Sequence, residues 1–295
     1  MENDHEKITT CVVCKKAQGY FFVRKNGFDL YRCGACGHIS PSPFLKHDSS
    51  FSYDEDYFSG AKTASGYIDY DRDKEPMRPV FVRYMKVIES LCSGKGRLLD
   101  VGAATGFFVE IAKKIGWKAC GVEISEYATE IAQKKGLDVV CGTLGSGNTL
   151  EEGSFRVITL WDVLEHFQDP HREIHLCSKL LMSDGILAIS TPDSGSWYAR
   201  STGKRWPLLL PPEHLHYFTQ KSIKIFLENN DFQIEKITKI GKTFTLEYTL
   251  LIASGLRNFG FLRKIVTFLK KYPRVGSFAI PINLRDNMVV IARRT

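Results

Sequence analysis

Residues 97–108, RLLDVGAATGFF, decide the fold. Leu98, Leu99 and Val101 form a short apolar strand that runs out beside an acid, Asp100. Gly102 and Gly106 permit a tight turn and let a ligand approach bare backbone. A helix opening at about Thr105 points its unpaired N–H groups the same way. A strand, a glycine turn and a helix in this order mark the mouth of an open α/β sheet, where small molecules bind. The competing reading is an ordinary βα turn that binds nothing.

Outward from this stretch the pattern alternates. WKACGVEIS (117–125) is a second strand ending in Glu123, with a helix following to about Lys135. LDVVCG is a third strand, and FRVITLWDVLEH a fourth that turns polar after Trp161. A helix over about 172–182 leads to a fifth strand, GILAIST, which breaks at Pro192. Strands DFQIEKITKI and NMVVIARR complete the set. The expected fold is α/β, a doubly wound, mostly parallel seven-stranded sheet. Upstream, a helix over 77–92 places Val80, Tyr84, Val87, Ile88 and Leu91 on one face. The long loop after Pro192 contains five aromatics and a Pro-Pro break, which argue for order.

The N-terminal region reads differently. Cys11-x-x-Cys14 and Cys33-x-x-Cys36 stand eighteen residues apart, within the spacing of a zinc site. Four thiolates around one tetrahedral ion leave no open position, so the zinc is structural. The residues between read as a hairpin turning at Asn26-Gly27. So small a hairpin has almost no core, and the metal supplies its folding energy. His38 reads as a solvated loop residue. The expected division is a zinc-ribbon module over 1–40, an aromatic connector over 41–76, and a sheet domain over 77–295 with an apolar and basic insertion at about 244–284. Phe51, Tyr53, Tyr57 and Phe58 are dense for a free linker, so part of the connector is expected to lie on something.

Bulk properties narrow the class. The 295 residues suffice for one large core plus a small module. MENDHEKITT has no apolar segment, so no secretory signal is expected, and no apolar run reaches the ~18 residues of a membrane span. A cytoplasmic location and reduced cysteines follow as expectations. The net charge of +7 is concentrated late: from Lys242 onward there are ten Lys/Arg against two acids.

Glu123 lies twenty-one residues after Gly102, a spacing that suits a carboxylate holding the two hydroxyls of a ribose. A nicotinamide dinucleotide and an adenosyl sulfonium both contain that ribose. GAATG lacks the middle glycine of a dinucleotide fingerprint. Asp100 before it would repel a diphosphate yet suits an ammonium or sulfonium.

LLDVGAATGFF, GVEIS and WDVLEHFQDP, in this order and spacing, resemble the class I S-adenosylmethionine-dependent methyltransferases, over about residues 78–240 and 287–293. The resemblance implies that Asp100, Gly102, Ala103 and Gly106 cradle the amino-acid half of the cofactor and that Glu123 holds its ribose. Gly142, Thr143 and Leu144 would lie near adenine, and Trp161, Asp162 and Val163 would line the cofactor. The four-cysteine module, the FSYDEDYF connector and PPEHLHYFT are similar to bacterial sugar and glycan methyltransferases with a zinc-binding head. That narrower resemblance implies Glu213-His214 at the active site, with His214 as general base and a connector tyrosine, Tyr53 or Tyr57, reaching it. The sugar C-methyltransferases carry a further C-terminal domain, so O- and C-methylation stay open.

Read from chemistry alone, an imidazole near neutral pKa suits a hydroxyl or carbon-acid proton. His216 rivals His214, because the two fall on one side of an extended segment, and His166 is a candidate for substrate contact. Aligning the acceptor with the methyl–sulfur bond can supply ~7–11 kcal/mol, and the already activated sulfonium requires no catalytic metal. The basic segment reads as a lid or dimer face, a site for an anionic, nucleotide-linked acceptor, or a peripheral contact at the inner membrane face with a lipid-linked one. The expected partner is a small-molecule or glycan acceptor. A zinc-ribbon RNA methyltransferase is the first rival. Against it, WDVLEH is not the Asn/Asp-Pro-Pro-Tyr of enzymes that methylate base amino groups. A non-catalytic cofactor-binding scaffold is the second rival.

Overall fold

The computed structural model describes residues 10–16, 19–41, 57–58, 69–145, 150–257, 260–269 and 272–295. Tyr53 lies outside the described residues. The chain forms two compact units, one of Met1–Phe51, Leu150–Ile240 and Leu284–Thr295, the other of Ser52–Thr149 and Gly241–Asn283.

The first unit begins with the cysteine-flanked hairpin. β1 (Gly19–Lys25) and β2 (Phe28–Cys33) pair antiparallel, and β3 (Ile39–Pro41) adds to β2. Asn26 (φ 49°) and Gly27 (φ 85°) are both left-handed, as a two-residue hairpin turn requires.

The second unit holds the glycine turn. A short helix α1 (Tyr70–Lys74) runs through a 3-10 turn, Glu75–Met77, into α2 (Arg78–Ser90). The buried stripe of that helix is Phe81, Tyr84, Met85 and Ile88, continued by Met77 of the 3-10 turn. Tyr84 and Ile88 are buried as expected, whereas Val80, Val87 and Leu91 are half-buried and Phe81 and Met85 take the buried places beside them. β4 (Arg97–Val101), α3 (Phe107–Lys114), β5 (Lys118–Glu123), α4 (Glu126–Lys134) and β6 (Val139–Cys141) follow. β4 and β5 pair parallel, as do β5 and β6. Leu98, Leu99 and Val101 are buried on both faces of β4, the continuous apolar pattern of a covered parallel strand.

Back in the first unit come β7 (Phe155–Trp161), α5 (Pro170–Leu180), β8 (Leu181–Pro192), α6 (Trp197–Thr202), α7 (Gln220–Glu228) and β9 (Phe232–Lys239). β7 pairs parallel with β8. The second unit then takes the insertion: β10 (Lys242–Thr245), α8 (Leu246–Arg257), α9 (Gly260–Leu269), α10 (Pro273–Gly276) and β11 (Ala279–Ile282), closed by the antiparallel β10–β11 pair. β12 (Asn287–Arg294) runs antiparallel to both β8 and β9. The large sheet has the order β6-β5-β4-β7-β8-β12-β9. The chain winds outward to β6 and then reverses, which makes the sheet doubly wound and mostly parallel, as expected. No helix among the described residues is long and apolar enough to cross a membrane.

The loop after β8 is ordered by its aromatics. Trp206, Tyr217 and Phe218 are fully buried, and the Trp206 indole N–H donates to Asp286 at 2.9 Å. Val23, Leu30 and Ile39 of the hairpin share a core cluster with Ala199, Trp206, Leu209 and Tyr217. Ile39 and Tyr217 also exchange backbone hydrogen bonds (3.1 and 2.9 Å).

Candidate active site

In the second unit, Asp100 is buried one residue before the end of β4, and the turn after the strand carries three left-handed residues, Gly102 (φ 71°), Ala104 (φ 48°) and Gly106 (φ 79°). Ala104, standing where a middle glycine is usual, accepts the strained conformation glycine would take freely. Its N–H donates to Glu123 Oε2 at 2.7 Å, and Ser125 N donates to Oε1 at 2.9 Å. Gly102 N and Ala103 N both donate to Val122 O (2.8 and 3.1 Å), so the turn is stapled to the end of β5. The helix begins at Phe107 with Gly106 as its cap, slightly later than expected.

A Cβ on Gly106 would lie 2.5 Å from Leu137 Cδ1 and 3.1 Å from Ala132 Cβ. Gly106→Ala therefore combines a left-handed penalty with overpacking, and its unfolding free energy is expected to fall by about 2–4 kcal/mol. An unchanged denaturation midpoint would contradict this packing.

Glu123 is buried, and desolvation raises its pKa against the pull of the backbone N–H groups on its carboxylate. The carboxylate accepts the N–H groups of Ala104 and Ser125, interacts with that of Ile124, and its two oxygens have lone pairs for further donors. That pair of acceptors fits two hydroxyl donors, and the acid of Asp100 fits an ammonium. Thr143 is exposed after β6, and Leu144 beside it is buried. Tyr57 and Phe58 of the connector pack with Ala104 and Ala128, so this part of the connector does lie on the turn. Asp71 adds a contact that local sequence did not signal, accepting the Thr105 hydroxyl at 2.7 Å.

In the first unit, Trp161 is half-buried at the end of β7. Asp162 is left-handed (φ 58°), its N–H donating to Ser190 Oγ at 2.9 Å and its carboxylate accepting that hydroxyl at 2.9 Å. A 3-10 turn, Leu164–His166, follows. Leu215 N and His216 N both donate to Glu165 O (2.8 and 3.1 Å), fastening the Glu213–His216 segment to that turn. His166 Nδ1 donates to Glu213 O at 2.7 Å and His214 Nδ1 to Leu208 O at 2.9 Å. The two rings meet edge to face at 4.8 Å. A carbonyl oxygen can only accept, so each Nδ1 carries a proton, and in the neutral form of either ring the lone pair is on Nε2.

Residues 73–237 match the methyltransferase domain family. The chain belongs to that family. It is an S-adenosylmethionine-dependent methyltransferase. A ubiquinone biosynthesis O-methyltransferase of Xanthomonas oryzae is 24% identical over 193 residues, covering 60% of this chain and 80% of the relative. The enzyme of that description from Erwinia tasmaniensis is 27% identical over 128 residues, covering 41% and 53%. In fold, the methyltransferase resembles an S-adenosylmethionine-dependent methyltransferase from Archaeoglobus fulgidus (TM-score 0.52, 21% identity, 75% of this chain and 94% of that one). It also resembles the YcgJ protein of Bacillus subtilis (TM-score 0.52, 16% identity, 73% and 97%).

The methyltransferase brings its four expected zinc ligands together. The sulfurs of Cys11, Cys14, Cys33 and Cys36 all lie within 4.8 Å of one another, with Cys11–Cys36 at 3.7 Å and Cys14–Cys33 at 3.6 Å. A tetrahedron with zinc–sulfur bonds of about 2.3 Å has edges of about 3.8 Å. The fit to a zinc ion is close. The Cys11 and Cys36 sulfurs share a hydrogen bond that lowers the pKa of Cys11 and raises that of Cys36, while burial raises that of Cys33. Metal analysis is expected to find this zinc and to lose it on Cys33→Ser, with the hairpin unfolding. A Cys33→Ser chain that stays folded and keeps its metal would contradict the assignment.

Two histidines differ from expectation. His38, expected to be solvated, is buried and stacks on His216 (5.4 Å between rings, His38 Nε2 to His216 Nδ1 3.3 Å). His216 thus joins the hairpin module, while His214 meets His166. Burial lowers the pKa of both, His216 to about 4. An unfolded histidine titrates near 6.5, so the unfolded chain binds more protons as pH falls, and stability present above that value is lost towards pH 4. Denaturant unfolding at pH 5 is expected to require about 2 kcal/mol less than at pH 7.5 from His216 alone. A flat profile would mean that the pair is not buried neutral.

Proposed function

We propose that this methyltransferase transfers the methyl group to a hydroxyl oxygen of a small-molecule or glycan acceptor, with His214 as general base. The observation that carries the role of His214 is its Nδ1–H bond to Leu208 O, which fixes the tautomer and leaves the Nε2 lone pair as the proton acceptor. O-methylation is favoured because the curated relatives are named as O-methyltransferases. The cofactor, when bound, supplies an electrophilic methyl on a sulfonium. Glu123 would hold the ribose hydroxyls, Asp100 the ammonium, and the stapled turn Gly102–Gly106 the cofactor's backbone contacts, with Thr143, Trp161 and Asp162 lining it. As the acceptor oxygen attacks, His214 Nε2 takes its proton, and the Leu208 carbonyl stabilises the imidazolium. Glu213 would contribute negative charge, and Tyr57 and His166 would contact the acceptor.

The zinc head supports this reading as a buttress. Its hairpin packs on the loop that carries His214, through Val23, Leu30 and Ile39. Exposed Phe268, Tyr272, Val275 and Phe278 beside Arg274 support a peripheral contact with an anionic surface and an acceptor carried there. A labelled-methyl screen across phenols, free and nucleotide-linked sugars, lipid-linked glycans and RNA tests the proposal. Label in a hydroxylated small molecule or glycan supports it, and label in RNA alone refutes it.

A further inference from the structure

The geometry points to a divalent cation site formed by Glu165, His166 and His214, which binds the acceptor's hydroxyl oxygen. This inference rests on the proposed O-methyl transfer and replaces proton abstraction by His214 with Lewis-acid activation of the acceptor. One ligand atom from each residue lies within 4.8 Å of the other two. Metal–nitrogen and metal–oxygen bonds of ~2.0–2.2 Å in a tetrahedron need separations of about 3.3–3.6 Å, so the side chains would close by about 1.5 Å at most.

The arrangement around the three residues is that of a prepared ligand set. Both histidines donate Nδ1–H to backbone carbonyls, Glu213 O and Leu208 O, which aims Nε2 as the ligating atom and raises its basicity. The Thr191 hydroxyl donates to Glu165 Oε2 at 2.9 Å and orients the carboxylate. Two backbone bonds to Glu165 O hold the two ligand-bearing segments in register. Glu165 itself is 1% exposed, a deep position for a carboxylate, whereas His166 is half-buried. Two imidazoles and one carboxylate favour Mn2+, Fe2+, Co2+ or Zn2+ over Mg2+ or Ca2+, which prefer oxygen throughout. Three protein ligands leave coordination positions open, as a catalytic site requires and the four-cysteine site does not.

The methyl donor needs no metal. The cation acts on the acceptor, lowering the pKa of its hydroxyl as it does for bound water. The hydroxyl proton leaves to solvent, the oxygen's electron pair forms the bond to the methyl carbon, and the carbon–sulfur pair departs with sulfur.

Isothermal titration of the full, zinc-headed chain with Mn2+ and with Co2+ tests the site. One equivalent of cation is expected to bind, with affinity falling at least tenfold in His166→Ala and in Glu165→Gln. His166→Ala is the primary variant, because a half-buried ring can be removed with less risk to folding. Failure of both ions to bind stoichiometrically, or equal binding in wild type and His166→Ala, overturns the inference. S-adenosylmethionine titrated into the same samples separates the two readings. Retained cofactor binding with no cation site leaves the proposed methyl transfer standing with His214 as base. Loss of cofactor binding in wild type removes the cofactor site on which that transfer depends.

Discussion

His214→Ala is expected to slow methyl transfer by ~10²–10⁴-fold, the range for loss of a general base, while S-adenosylmethionine binding stays within error of wild type. On the proposed role of His214 the rate would fall because the group that takes the acceptor's proton is gone. Cofactor binding persists because the contacts that fix the glycine turn run through Glu123, Ala104 and Val122 and do not involve His214. The ring is buried and packs on His166 and Tyr217, so the substitution also opens a cavity. A His214→Gln variant, nearer in volume and able to keep a donor to Leu208 O, should be as slow with less loss of stability. Full turnover in either variant places the base elsewhere.

Glu123→Ala is expected to weaken cofactor binding by ~10²-fold or more, since hydrogen bonds to a charged acceptor contribute about 1.5–3 kcal/mol each and two ribose hydroxyls are at stake. The cost extends to the fold. Ala104 N and Ser125 N lose their acceptor inside a buried turn, at about 1–3 kcal/mol each. Calorimetric titration reads the first effect and chemical denaturation the second. Glu123→Gln separates them, because the amide oxygen still accepts one N–H while the charge is lost. A variant that binds the cofactor normally would sever Glu123 from the ribose.

How much of this was legible in the sequence depends on how local each signal is. β4 and β5 announce themselves as apolar runs with an acid at or near their ends, whereas the bond from Ala104 N to the Glu123 carboxylate is a contact that spacing did not call for. The four-cysteine cluster is equally plain, since two C-x-x-C pairs have few other uses. Ala104 shows where local reasoning meets its limit: an alanine does not advertise φ 48°, which the staple to Glu123 imposes. His38 was misjudged for a similar reason. Its burial comes from His216, Phe218 and the loop beyond β8, almost two hundred residues away in sequence. Glu165 carried no periodic signal because it sits in a single 3-10 turn, yet its carbonyl and carboxylate organise both histidine segments. Contacts assembled across the chain leave no trace in spacing.

Transfer of label from methyl-labelled S-adenosylmethionine to a hydroxylated acceptor, compared in wild type, Glu123→Ala and His214→Ala, tests the central claim most directly. Wild type is expected to label the acceptor's oxygen, Glu123→Ala to fail through lost cofactor affinity, and His214→Ala to fail with the cofactor bound. Equal labelling by all three chains, or label confined to RNA, would contradict it.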